Sequence, residues 1–242
     1  MKKSIHFLAL TLVLFTITGC VNDGNGIFNC TKGEGSTITK ELFLQEFTGV
    51  RLKIDADVHI TQGSEFSVVA TGQENIINKL ELDVNNGIWD LEFDSCVKNY
   101  NALNIYITMP AIDYLAISGS GTINGENTFN VNEMGLNISG SGDIILDLNA
   151  NQINASISGS GKMKLTGASE TSEYEISGSG NFYAFGLQTQ VTEVEISGSG
   201  RAEVFVEDYL KVNITGSGDV YYKGNPTLDI RITGSGNIYD SN

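Results

Sequence analysis

The sequence predicts an all-β chain folded as a parallel β-solenoid (β-helix), and three observations predict it. A pentapeptide of the form Ile-Ser/Thr-Gly-Ser-Gly occurs seven times, beginning at Ile117, Ile138, Ile157, Ile176, Ile196, Ile214 and Ile232. Successive copies stand 18 to 21 residues apart, close to one solenoid coil per copy. Around each copy apolar and polar residues alternate with period two, the mark of a strand with one face turned inward.

The elements follow from the N-terminus. Lys2 and Lys3 precede an apolar stretch from Ile5 to Ile17, which ends in Ile17-Thr18-Gly19-Cys20. A positive start, a short apolar run and small residues form a secretory signal over residues 1–19, too short to span a membrane as a helix. The run into Cys20 resembles a bacterial lipobox. That resemblance implies cleavage before Cys20 and acylation of its sulfur and new α-amine; an ordinary signal peptide with a chance Cys is the alternative. Two or three acyl chains anchor a protein where one is marginal. Residues 20–39 then carry the lipidated Cys20 and a tether, whose stretch 21–36 is rich in Gly, Asn, Asp and Ser.

Two cysteines remain after lipidation, Cys30 and Cys96. An exported setting permits a disulfide between them, and two independent thiols are the alternative. With two thiols and one mature histidine, His59, a four-ligand Cys/His zinc site is out of reach.

The remainder, 40–242, reads as the solenoid. Residues 40–112 lack the pentapeptide yet alternate at Val50–Ile54, Val58–Ile60, Leu80–Val84 and Leu103–Ile107. Asn86-Gly87 between two such runs signals a hairpin. This part is expected to form irregular first coils and a hairpin capping the open end, with a separate small β domain as the alternative.

Residues 113–242 hold the seven repeats. Leu115, Leu136, Ala155, Tyr174, Val194, Val212 and Ile230 stand two residues before each motif Ile. Ile123, Ile144, Met163, Phe182, Ala202, Val220 and Ile238 follow each Gly-Ser-Gly. Each unit therefore reads as strand, glycine corner, strand and a variable return. Stacking places the motif isoleucines in a buried ladder. The corner serines, Ser120, Ser141, Ser160, Ser179, Ser199, Ser217 and Ser235, form a polar ladder along one edge. A propeller blade needs about 40 residues, and a meander leaves the repeated corner unexplained.

Composition narrows the function. The chain has 28 Gly, 2 Pro and a net charge of −15. Half of the glycines lie in the seven motifs, so neither collagen nor a disordered low-complexity chain fits. Removing residues 1–19 deletes Lys2 and Lys3 and no acid, deepening the charge to −17. Such acidity disfavours nucleic acid and anionic lipid as partners.

Chemistry-bearing motifs are sparse, and neither a cofactor nor a metal is expected. The residues after the corners are Thr122, Asp143, Lys162, Asn181, Arg201, Asp219 and Asn237, too mixed for a calcium stack. Phosphate-loop and serine-hydrolase patterns are lacking. Glu173, Glu175, Glu193, Glu195 and Glu203 are the carboxylates that a polysaccharide-cleaving enzyme would draw on; a solvated strand face explains them as well. One outward column, Asn124, Ile145, Lys164, Tyr183, Glu203, Tyr221 and Tyr239, offers aromatic rings. Tyr183, Tyr221 and Tyr239 are the candidate binding residues for glycans or surface proteins, with cross-coil packing as the alternative.

Phe47-Thr48-Gly49-Val50, Val58-His59-Ile60-Thr61-Gln62-Gly63, the pentapeptide array and Val220-Tyr221-Tyr222-Lys223-Gly224-Asn225-Pro226 together resemble the head GIN domain family of auto-transporter adhesins. The likeness spans about residues 40–240. It implies an exported β-helical domain, common as a lipoprotein, and brings no catalytic residues. The expectation is a non-enzymatic lipoprotein of the bacterial cell envelope, on the periplasmic or surface face of the outer membrane, that recognises glycans or surface proteins. A carbohydrate-active enzyme on the same fold and a structural envelope spacer are the alternatives. The membrane is a partner through the acyl anchor, and the open last coil near Tyr239 suggests end-to-end homo-oligomers.

Overall fold

The computed structural model describes residues 30–242; the signal at 1–19, Cys20 and the tether as far as residue 29 lie outside the described residues. The first part comprises β1 (Thr31–Lys32), β2 (Thr37–Leu42), β3 (Gly49–Leu52), β4 (Asp57–Gln62), β5 (Ser67–Gln73), a single-turn α1 (Glu74–Ile77), β6 (Val84–Asn85), β7 (Ile88–Leu91), β8 (Val97–Lys98) and β9 (Asn104–Met109). The repeats form β10 (Tyr114–Gly119), β11 (Thr122–Gly140), β12 (Asp143–Gly159), β13 (Lys162–Gly178), β14 (Asn181–Gly198), β15 (Arg201–Gly216), β16 (Asp219–Lys223), β17 (Thr227–Gly234) and β18 (Asn237–Asp240). Apart from the β1–β8 pair, the strands join one sheet that winds as a parallel solenoid.

Register sets motif on motif. Ile117 lies beside Ile138, and so on through Ile157, Ile176, Ile196, Ile214 and Ile232. The first six of these isoleucines are buried, forming the inner ladder. The columns flanking the corner fill the interior around them, from Leu115 and Ile123 to Val212 and Val220. Burying such a side chain contributes about 1.5–3 kcal/mol, so the ladder is a large part of the fold's driving force.

Each corner uses its two glycines differently. Gly159 sits at φ +129°, and a Cβ there would lie 2.4 Å from the Gly140 carbonyl oxygen of the coil before. Gly161 is crowded instead by the motif isoleucine of that coil, with a Cβ falling 2.5 Å from Ile138 Cγ2. The close approach lets the Ser160 N–H donate to Gly140 O at 2.9 Å and the Lys162 N–H donate to Gly142 O at 3.1 Å. Thus the corner continues the inter-coil ladder through a sharp bend.

The variable return is not a loop. Between corners β11 to β15 run 16 to 19 residues as strand, interrupted only by the Ser-Gly of the motif. Differences in repeat length are absorbed by bulges, as at Asn124/Thr128, Lys164/Thr166 and Ala184/Gln188. A bulge adds a residue on one strand without ending the ladder.

Residues 40–112 continue the same sheet. β3 and β4 stack under β10 and β11, and β7 and β9 stack in turn under β3 and β4. The coil that comes later in sequence therefore lies further out, and residues 110–113 pass back over its neighbour to start the repeats. Antiparallel β5 and β2 on one side and the β6–β7 hairpin on the other close this end. Asn86 and Gly87 take φ of 52° and 75°, as a two-residue hairpin turn demands. The strand expected over Leu80–Val84 shrinks to β6 and an isolated bridge between Leu80 and Phe93, because the chain turns straight out of α1.

The interior holds one polar group of note. The Tyr174 hydroxyl is fully buried and lacks a hydrogen-bond partner. Ser172, the polar side chain beside it, is already engaged with Thr192 at 2.9 Å.

Candidate functional site

The strands leaving the corners build one outward face, and its register makes columns of side chains along the solenoid. Tyr106, His59, Asn124, Ile145, Lys164, Tyr183, Glu203, Tyr221 and Tyr239 form one continuous column. Its two ends are aromatic stacks. His59 lies on Tyr106 at 4.8 Å between ring centroids, and Tyr221 on Tyr239 at 4.7 Å.

These stacks decide which ring faces are free. Tyr221 has the Arg201 guanidinium 4.0 Å from its centroid on one side and Tyr239 on the other. Its ring is thus covered by these neighbours, and the residue is half-buried. Tyr239, 41% exposed, carries the open ring face of this group. Tyr183 is separated from both by Glu203, which pairs with Arg201 at 2.6 Å. The three tyrosines thus share a column but do not form one stack, and cross-coil packing accounts for part of their arrangement.

Alternation brings two further rings to the same face, Phe185 and Phe205, which the sequence reading missed. Each stands two residues beyond the column, after Tyr183 and Glu203, so the period-two pattern contained the signal. Lys223 lies beside Phe205 in register and its Nζ is 4.7 Å from the Phe185 centroid. The four stacked strands β14, β15, β16 and β18 therefore present an aromatic wall set with Arg201 and Lys223, on a chain that is otherwise strongly acidic.

Other candidates fall elsewhere. The corner serines from Ser120 to Ser235 are all exposed, and their backbone N–H groups, from Ser141 onward, are spent on the corner glycines below. Glu173 and Glu175 lie beside Glu193 and Glu195 on the outward face before the corner, where Lys211 binds Glu193 at 2.6 Å. Successive coils at about 4.8 Å put these acids in a ladder on a flat, wet face. His59 Nδ1 lies 2.6 Å from Glu126 Oε1. No group of three or more His, Cys, Asp or Glu among the described residues is placed to hold a metal ion. Cys30 and Cys96 are joined by a disulfide that ties β1 to β8 at the capped end.

A second feature unread in the sequence is an amide-lined groove on the return side. Asn149, Asn151, Gln188, Gln190 and Glu170 line it around Ala150 and Ala168. Asn132, Asn151, Glu170 and Gln190 each stand six residues before a motif Ile, a fixed offset that marks the column. Asn151 Nδ2 donates to Asn132 Oδ1 at 2.6 Å, so the amides partly satisfy one another.

Residues 46–226 match the family described as "Putative auto-transporter adhesin, head GIN domain". The chain belongs to the head GIN domain family. That description places it with adhesins of the cell envelope and names no reaction. The same fold is seen in solved structures. A crystal structure described as a putative adhesin from Bacteroides fragilis NCTC 9343 is 23% identical with a TM-score of 0.82, covering 86% of this chain and 99% of that one. A putative adhesin from Parabacteroides distasonis ATCC 8503 is 22% identical with a TM-score of 0.74, covering 87% and 99%. A protein described as a putative lipid binding protein from the same strain is 23% identical with a TM-score of 0.70, covering 86% and 98%. At these identities the likeness shows the fold. No curated protein matches the head GIN chain in sequence.

Proposed function

We propose that the protein is a non-catalytic recognition module of the bacterial envelope, anchored through acylated Cys20, that binds glycans on the aromatic face of its last coils. The observation that carries this reading is the gathering of Tyr183, Phe185, Phe205, Tyr221 and Tyr239 on one flat outward face, with Arg201 and Lys223 among them. Rings held in register give large contact area with few rotors to freeze, and sugar rings carry C–H faces that pack on them. Arg201 and Lys223 add hydrogen-bond donors for hydroxyls or carboxylates.

Around these rings no nucleophile–base pair is formed among the described residues. Of the acids that a glycosidase could draw on, Glu173, Glu175, Glu193 and Glu195 lie on another face, side by side along a ladder rather than opposed across a cleft, and Glu203, on the aromatic face, is held by Arg201. Family membership supports the adhesin class.

The test is a glycan array probed with the mature protein, run beside a reducing-sugar release assay on every glycan retained. Retention without sugar release supports the reading. Release that vanishes on replacing one carboxylate would make the protein an enzyme.

A further inference from the structure

The capped and open ends of the solenoid differ in one physical respect. At the last coil Leu228, Ile230 and Ile232 are 39%, 37% and 38% exposed, whereas Leu210, Val212 and Ile214, their register partners one coil below, are no more than 1% exposed. These three side chains point inward with nothing above them among the described residues. The outer edge of β17 is likewise unpaired, and such an edge is a template for another strand.

The sequence of that edge is complementary to itself. Read from either end, Thr227-Leu228-Asp229-Ile230-Arg231-Ile232-Thr233 places like with like and acid with base about Ile230. We propose that β17 pairs antiparallel with β17 of a second copy of this chain, in a register centred on Ile230. Leu228 then faces Ile232 of the second copy, Asp229 faces Arg231, and Thr227 faces Thr233, each contact occurring twice. The two-fold axis runs perpendicular to the sheet through the Ile230 pair, which keeps inward side chains inward and continues the core from one solenoid into the other.

Two observations favour a second copy over an unrelated partner. Arg231 has no ion-pair partner among the described residues, and Asp229 accepts a long hydrogen bond from the Tyr209 hydroxyl at 3.3 Å and stands in register beside Lys211, whose Nζ is bound to Glu193. Both charges are therefore free to meet an opposite charge at the facing position. The other end of each solenoid is closed by β2, β5 and the β6–β7 hairpin, so pairing stops at two chains and gives a closed dimer, not a fibre.

The test is sedimentation equilibrium of the wild-type protein, of Arg231→Asp and of Asp229→Arg, with far-UV circular dichroism to check each fold. The wild type is expected to be a dimer. Either single reversal sets like charges opposite one another twice and weakens association by about tenfold or more. Mixing the two variants restores full opposition of charge and therefore a heterodimer. A wild type that stays monomeric into the high micromolar range, or a mixture no more associated than its components, would overturn the proposal. A second readout fixes the register: in a Cys20→Ser background, Ile230→Cys crosslinks to itself on oxidation. Leu228→Cys does so only when mixed with Ile232→Cys. Failure of Ile230→Cys to crosslink contradicts the central position of Ile230.

Discussion

At the scale of single residues, the glycine corner separates backbone strain from crowding. Gly119 has φ +138° but meets nothing within 4 Å, because the coil beneath it turns without a Gly-Ser-Gly. Gly159 has a similar φ and a carbonyl at 2.4 Å from its Cβ position. Gly119→Ala is expected to cost about 1–3 kcal/mol for the left-handed backbone alone. Gly159→Ala is expected to cost about 1–3 kcal/mol more, since the ladder must open to admit a methyl group. Urea denaturation of both variants checks this, and equal losses would show that the close approach between coils contributes nothing.

Tyr174 makes a second prediction at this scale. Burial pushes its phenol well above the ordinary tyrosine range. Below about pH 10 the side chain is neutral in both folded and unfolded chains and has no effect on the pH dependence. Above that the unfolded chain ionises while the folded one resists, so stability falls as pH rises. Tyr174→Phe removes that contribution and the unpartnered hydroxyl together. Thermal melts across the alkaline range should show the variant more stable by about 1 kcal/mol at neutral pH, with a widening advantage above pH 10. A variant less stable at neutral pH would mean that the hydroxyl is satisfied after all.

Among elements, the capped end depends on a covalent tie. The Cys30–Cys96 bridge spans 66 residues and fastens β1 to β8, a pair of only two residues outside the main sheet. In the chain-entropy model a loop of that length is worth about 4 kcal/mol. Replacing both cysteines with serine should lower the urea midpoint and open the segment around β1 to protease before the coils yield. An unchanged midpoint would place the strap outside the cooperative fold.

The elements also show what the sequence could and could not tell. The motif ladder, its inward columns and the Asn86-Gly87 hairpin were legible because each is a local pattern with a fixed period. The swapped order of the first two coils was not, since alternation at Val50–Leu52 and Ile88–Leu91 carries no information about which lies outermost. The return strands were hidden by bulges, which break the period that reveals a strand. Of the candidate face, Tyr183, Tyr221 and Tyr239 were readable as a column. The pairing of Arg201 with Glu203, which divides that column, depends on side-chain conformation and left no trace in spacing.

For the molecule as a whole, equivalent coils imply that stability is close to a sum over neighbours. Deleting residues 160–178, one corner and the strand leading to the next, should leave a β-rich fold of lower stability, checked by circular dichroism and a melt. The same equivalence leaves sequence free to vary outward while the corner and core stay constant. Binding surfaces can then be written on a face without disturbing the scaffold, and the aromatic wall over β14, β15, β16 and β18 is the place where this chain departs most from a plain solvated strand face.

The central claim is that this wall recognises glycan. The most direct test measures the affinity of Tyr183→Ser/Tyr221→Ser/Tyr239→Ser for the strongest glycan that the wild type retains, by calorimetry. Losing the open ring face of Tyr239 together with the Tyr183 ring, at about 1 kcal/mol each, predicts a fall of at least about tenfold, with the β fold intact by circular dichroism. Affinity equal to that of the wild type in a folded variant would contradict the account.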